Sequence, residues 1–195
     1  HPVLGKPYQD GFYRVGVPQD REPLVHSLHY LVSKIKKHTF HHFKEAILSD
    51  VSRMDISLLL EGHFMTIFSE DTDVDISQIE GSRGKPLKGK KRLKKIRSVQ
   101  EETSLKRFEK YVRDTDYPKD KDASLWISLI SDIASFPGNT LFGHSMILNV
   151  VVFESINDGC RIIPPFQGYS QEVDAGWCFL GKRGTIVEPM MYQYN

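Results

Sequence analysis

The sequence predicts an α+β domain in which N-terminal helices pack on a C-terminal, mostly antiparallel sheet. Three observations carry that expectation. Apolar residues recur at three- and four-residue spacing from Leu24 to Ile133. After Pro137-Gly138 they fall instead into short runs separated by turn residues. The whole chain, 195 residues with 39% hydrophobic and 26% charged side chains, has the size and composition of one domain able to bury a core.

The elements follow in order. Pro2, Gly5, Pro7, Gly11, Gly16 and Pro18 surround the alternating stretch Phe12 to Val17, which reads as loop, strand, loop. Asp20 is the expected N-cap of a helix holding Leu24, Leu28, Leu31 and Ile35, with Glu22 and Pro23 in its first turn and Lys34, Lys36 and Lys37 at its end, as the helix dipole prefers. Thr39 caps a second helix with Phe43, Ile47 and Val51, and Asp55 a third with Ile56, Leu59, Leu60, Phe64 and Ile67, interrupted by Gly62. Residues 69 to 99 change composition, with acids first and cations after, and read as a charged insertion or mobile loop within the single domain 1 to 195. Helical spacing resumes with Leu105, Phe108 and Val112, breaks at Asp116-Tyr117-Pro118, and returns with Leu125, Trp126, Leu129, Ile130 and Ile133. Strands are expected at Met146 to Phe153, Arg161 to Phe166, Trp177 to Leu180 and Thr185 to Met191, with turns at Asn157-Asp158-Gly159 and Gly181 to Gly184.

Several function classes are excluded or narrowed at this level. No apolar run approaches the roughly 20 residues of a transmembrane helix; the longest, Ile147 to Phe153 and Ile56 to Leu60, are of core size. Two cysteines, Cys160 and Cys178, are too few for a disulfide framework and favour an intracellular setting, cytoplasmic or nuclear. A chain that begins at His1 with no targeting pattern reads as a fragment of a longer polypeptide, so the remainder of that parent chain is itself an expected partner. The net charge of +1 gives the whole domain no attraction for polyanions, and any electrostatic function must come from local arrangement.

Local arrangement points to Arg83, Lys85, Lys88, Lys90, Lys91, Arg92, Lys94, Lys95 and Arg97, nine cations with no acid among them. Phosphate neutralisation needs this density, and glycines at 84 and 89 would let the cations follow a nucleic-acid backbone. No aromatic residue is interleaved, which argues against a single-strand stacking platform in this segment. A transport-factor signal and a solvated loop partly neutralised by Glu70, Asp71, Asp73 and Asp75 are the other readings.

Metal and catalytic chemistry find only loose parts. His26, His29, His38, His41 and His42 are close in sequence, but zinc needs three or four ligands at set spacing and neither cysteine lies near them. The acidic run Glu70 to Asp75 lacks the central glycine and terminal glutamate of a calcium loop. Cys160, Cys178 and His144 are the pieces of a nucleophile and base, with nothing in the sequence that joins them. No catalytic residue, metal ligand or cofactor is assigned.

At the first helix, Asp20-Arg21-Glu22-Pro23-Leu24-Val25-His26-Ser27-Leu28 resembles the D-G-N-C-L-F-R-S-L motif of ovarian-tumour (OTU) cysteine proteases. The helix with Trp126, the strand Asn149 to Phe153 and the terminal strand pair extend the resemblance, with gaps, over Val17 to Tyr192. It implies a papain-like, OTU-like outline with the chemistry removed. The family's nucleophilic cysteine falls on Pro23, Arg21 and Glu22 replace the glycine and asparagine of the oxyanion loop, and Gly184 to Pro189 holds no histidine. Phe12 to Asp20 and Thr185 to Met190 also look similar to segments of long proteins from large cytoplasmic DNA viruses, including transcription-associated ones. The expectation is a non-catalytic module that binds a partner protein or nucleic acid. An active cysteine hydrolase using Cys160 or Cys178, and a purely architectural domain, are the alternatives.

Overall fold

A computed structural model of the chain describes residues 11–69, 88–116, 119–157 and 159–193. It is α+β: strand β1 (Gly11–Arg14), helices α1 (Pro23–Ile35), α2 (Phe40–Arg53), α3 (His63–Phe68), α4 (Gly89–Arg113) and α5 (Ala123–Ser135), then strands β2 (Leu148–Ile156), β3 (Gly159–Ile163), β4 (Gly176–Arg183) and β5 (Ile186–Gln193). The strands form one sheet in the order β1-β5-β4-β2-β3.

Pro23 opens α1, where its missing N–H is no loss. Glu22 rather than Asp20 holds the N-cap position, and Asp20 sits just outside, accepting from the Glu22 backbone N–H at 2.7 Å and hydrogen-bonded to His26 at 2.8 Å. The predicted face, Leu24, Leu28 and Leu31, is buried, whereas Ile35 at the last turn is 40% exposed. Thr39 caps α2 as predicted, accepting from the His42 N–H at 3.2 Å. The third predicted helix is shortened. Gly62 (φ 85°) ends a left-handed run that begins at Leu60 and Glu61 (φ 55° each), so only His63–Phe68 is α-helix. The Leu60 N–H released by that turn donates to the Asp132 carboxylate at 2.8 Å.

The charged segment 69–99 differs from the loop reading over its described part. Residues 89–99 are the first turns of α4, because lysine and arginine are good helix formers and the glycine at 89 stands at the helix start rather than inside it. Arg83 and Lys85 lie outside the described residues. From Ser104 onward α4 buries Ser104, Phe108 and Val112 against α2 and α3.

Three of the four strand pairings are antiparallel; β2 and β4 are parallel, which makes the sheet mixed. The chain turns from β2 into β3, crosses back through residues 164–175, and lays β4 along the other edge of β2. β4 also runs through Gly181, and the turn into β5 tightens around Gly184 (φ 59°). One face of the sheet, carrying Leu148, Val150, Val152, Leu180 and Val187, packs on α1 and α5 to make the core. No described helix is long and apolar enough to cross a membrane.

The α5–β2 connection is held by Asp50, a fully buried carboxylate on α2. It accepts from the Thr140 N–H at 2.7 and 2.9 Å, the Thr140 hydroxyl at 2.9 Å and the Leu141 N–H at 2.9 Å, and pairs with Arg53. Asp50→Ala leaves the buried Leu141 N–H without its acceptor and frees the Thr140 groups and Arg53 that hold the connection. It is expected to lower unfolding free energy by about 3 kcal/mol, read as a fall in the urea midpoint at unchanged m-value.

Candidate functional site

Of the nine predicted basic residues, seven are described, and they share one element. Lys88 is the N-cap of α4, and Lys90, Lys91, Arg92, Lys94, Lys95 and Arg97 occupy its first turns, all exposed. At 100° per residue, Lys90, Lys94 and Arg97 continue the face that is buried further along, while Lys91, Arg92 and Lys95 lie on the opposite side. Cations therefore surround the first turns of α4, residues 89–99, about 16 Å of helix at 1.5 Å per residue. Among the described residues, Arg97 alone of the seven is ion-paired, with Glu101 at 3.0 Å. The helix carries no acid in its first turn and Lys88 makes no side-chain cap, so Lys88, Lys90, Lys91 and Arg92 sit at the positive end of the helix dipole, with three further cations in the turns after it.

The start of α1 is arranged in the opposite way. The Glu22 carboxylate is buried and accepts from Lys44 Nζ at 2.6 and 2.8 Å and from Lys119 Nζ at 2.5 Å. Lys119 is fully buried and also donates to the Asp114 carbonyl. The Phe40 ring lies 5.1 Å from Lys44 Nζ and the Tyr111 ring 5.6 Å from Lys119 Nζ. One turn on, the Ser27 hydroxyl donates to the Val187 carbonyl of β5 at 2.8 Å, so α1 and the last strand touch directly. Pro23, one turn before Ser27, is buried. Glu22→Ala leaves two ammonium groups without their anion, and is expected to cost about 3 to 5 kcal/mol in chemical denaturation.

The remaining candidates stay apart. Cys160 is exposed on β3 and Cys178 half-buried on β4; among the described residues neither is hydrogen-bonded to a histidine. Burial pushes the Cys178 thiol up to about 11, the reverse of what a nucleophile needs. The histidines serve the helical layer: His26 stacks on Phe40 at 3.9 Å, His29 is hydrogen-bonded to the His38 carbonyl at 2.7 Å, and His38 to the Leu141 carbonyl at 2.8 Å. No cluster of three metal-ligating side chains occurs among the described residues. Brief iodoacetamide treatment at pH 7.5 is expected to alkylate Cys160 and spare Cys178 until the protein is unfolded, as peptide mass spectrometry would read.

A groove of about 780 Å³, which the sequence did not signal, lies between the ends of α3 and α4, the start of α5 and the β2–β3–β4 edge. Its volume suits a small ligand, but its polar groups are engaged with one another. Glu154 takes Lys182 at 3.0 Å and Arg161 at 2.5 Å, and the Lys182 hydrogen bond, then that of Arg161, hold its carboxyl below the ordinary range against the effect of burial. Tyr111 donates to Asp122 at 2.7 Å and accepts from the Trp126 indole at 2.9 Å. These residues are scattered over five elements, and only the finished fold brings them together. No protein-family model, curated protein or solved structure matches this chain.

Proposed function

We propose that this chain is a non-catalytic, OTU-like module of a larger intracellular polypeptide, and that it binds nucleic acid through the first turns of α4. The observation that carries the reading is the placement of Lys88, Lys90, Lys91, Arg92, Lys94, Lys95 and Arg97 together on the first turns of one helix, each of them exposed. Seven like charges repel one another and oppose the helix dipole, and a polyanion relieves both. Rigid helical display fixes their spacing, which suits repeated phosphates better than a solvated loop does.

The outline is supported by the meeting of α1 and β5, where the resembled family holds its nucleophile and base. Here Ser27 and Val187 join the two elements, Pro23 stands buried at the start of α1 one turn before, and the carboxylate beside it is bound by two lysines. A raised Cys178 thiol and an exposed Cys160 with no histidine hydrogen-bonded to it among the described residues favour the non-catalytic reading over a cysteine hydrolase. The rest of the parent chain, and proteins of a transcription-associated assembly, are the protein partners this reading expects.

The test is a gel-shift titration with duplex and single-stranded DNA at several salt concentrations. Replacing Lys90, Lys91, Arg92, Lys94 and Lys95 by glutamate is expected to abolish binding at physiological salt. Loss of five phosphate contacts lowers the log–log salt slope by about 4.5, at roughly 0.9 per contact on duplex. Binding of unchanged affinity and slope in the reversed variant would sink the proposal. Loss of a transport-factor contact without any nucleic-acid binding by the parent chain would replace it.

A further inference from the structure

The helices cover one face of the sheet, and the other face is rich in aromatic rings. Cross-strand register puts Phe12 opposite Tyr192, Phe179 opposite Met190 and Val151, and Phe153 opposite Gly181 and Ile162. Since side chains two apart share a face, Trp177 joins Phe179. Four neighbouring strands, β1, β5, β4 and β2, thus each present an aromatic residue to the same side. Phe12 is 53% exposed, Trp177 49% and Tyr192 42%. The rings of Tyr192, Phe12, Phe179 and Phe153 form a connected row, with centroids 5.1 Å apart for Phe12 and Tyr192, 5.4 Å for Phe12 and Phe179, and 6.1 Å for Phe153 and Phe179. The crossover loop covers one end only, where Asn149 exchanges hydrogen bonds with Ser170 at 2.9 and 3.0 Å and Tyr169 lies 5.9 Å from Trp177.

A hollow of about 230 Å³ interrupts the row because Gly181 has no side chain. Phe153 and Ile186 wall it, and Arg14 and Arg183 stand at its rim. Glu188 neutralises part of Arg14 at 3.3 Å, leaving the face with two guanidinium groups and one carboxylate. A ring-sized hollow with an aromatic wall and cationic rim matches a nucleotide, an aromatic base joined to an anion. Every base has a π-face, so a run of such rings holds a strand without reading its sequence. Guanidinium groups complement phosphates in geometry and in charge.

We propose that this sheet face is a stacking platform for single-stranded nucleic acid: a base enters the Gly181 hollow against Phe153, neighbouring bases stack along Phe179, Phe12 and Trp177, and Arg14 and Arg183 hold the phosphates. The choice of nucleic acid over protein rests on the reading of α4 as a nucleic-acid contact. The platform adds what α4 lacks, a preference for unpaired bases.

The two tryptophans make the test direct. Trp126 is fully buried and hydrogen-bonded to Tyr111, so fluorescence quenching by a bound strand reports on Trp177. The full chain is titrated with an oligothymidylate of about 15 nucleotides, near the upper end of the ~4–16 typical of single-strand sites, and with a duplex of equal length. The single strand is expected to quench Trp177 and the duplex to leave it unchanged. Gly181→Leu fills the hollow; the nearest atoms to its Cβ would be Met190 Sδ at 3.4 Å and Cγ at 3.6 Å, and then the Glu188 carbonyl at 4.0 Å. It is expected to weaken the strand at least five-fold, the lower bound for losing one stacked base. Phe12→Ser, on an exposed ring of the edge strand, is expected to do the same, and an unchanged thermal midpoint in either variant separates the site from misfolding. The α4 charge-reversed chain is expected to keep the Trp177 quench at low salt. Salt-dependent gel shifts with no quench, or a quench lost only in the α4 variant, would overturn the platform and leave the α4 reading standing. Absence of both signals would overturn both. A Trp177 change that follows protein concentration without any oligonucleotide would assign the face to a second copy of the chain instead.

Discussion

The Glu22 carboxylate stands where α1, α2 and the approach to α5 converge, and it is shared by Lys44 and Lys119 in a site with almost no access to water. An ammonium group in such a place carries an effective desolvation penalty of several kcal/mol, so neither lysine can hold its position without the carboxylate. One anion does not balance two cations. The difference is taken up by the Asp20 carboxylate, which attracts Lys44, by the Asp114 carbonyl and by the faces of Phe40 and Tyr111. These partners come from different elements and are directional, so the cluster fixes how the helices sit as well as whether they pack. A set of apolar side chains of equal volume would give comparable burial with less geometric demand.

That fixed start aims α1 at the sheet. Ser27 reaches the Val187 carbonyl, and Leu24 and Leu28 enter the core facing the same strand. β5 in turn pairs with β1 from the other end of the described chain and with β4, so the position of α1 is transmitted through β5 to both neighbours. The parallel pairing of β2 and β4 follows from the remaining geometry. β3 already occupies one edge of β2, and the crossover can deliver β4 only to the other. The crossover covers part of the outer face on its way, which is why Asn149 and Val151 are buried there while Phe12 and Trp177 are not.

Legibility in the sequence followed the range of the interactions. α1, α2 and α5 were readable because their apolar spacing is local, and Thr39 announced its cap within three residues. β2 was readable as an apolar, β-branched run. The first turns of α4 were not, since no apolar period marks a helix start whose basic side chains are all exposed, and nearby glycines suggested a loop. The third helix was overestimated because three consecutive left-handed residues leave the apolar spacing intact while breaking the backbone. The basic residues could be singled out by charge alone. Glu22, Lys44 and Lys119 could not, as charged residues are seldom fully buried and their partners lie up to 97 positions apart. The aromatic row is hidden for the same reason, its members being single alternating positions on strands whose order appears only in the folded sheet.

The two helix starts show how the fold distributes its electrostatic debts. At α1 the positive dipole end meets Glu22, and the lysines that neutralise it belong to the protein, so the site is complete and closed. In a thiol enzyme the same dipole end would lower a cysteine pKa; here proline and a paired carboxylate use that location for cohesion. At α4 the dipole end meets Lys88 and six further cations, with no carboxylate in the first turn. Local propensity favours this helix and local charge opposes it. Such a disagreement between levels is characteristic of positions kept for something other than stability. The counter-charge that α1 finds inside the molecule is, for α4, left to a binding partner.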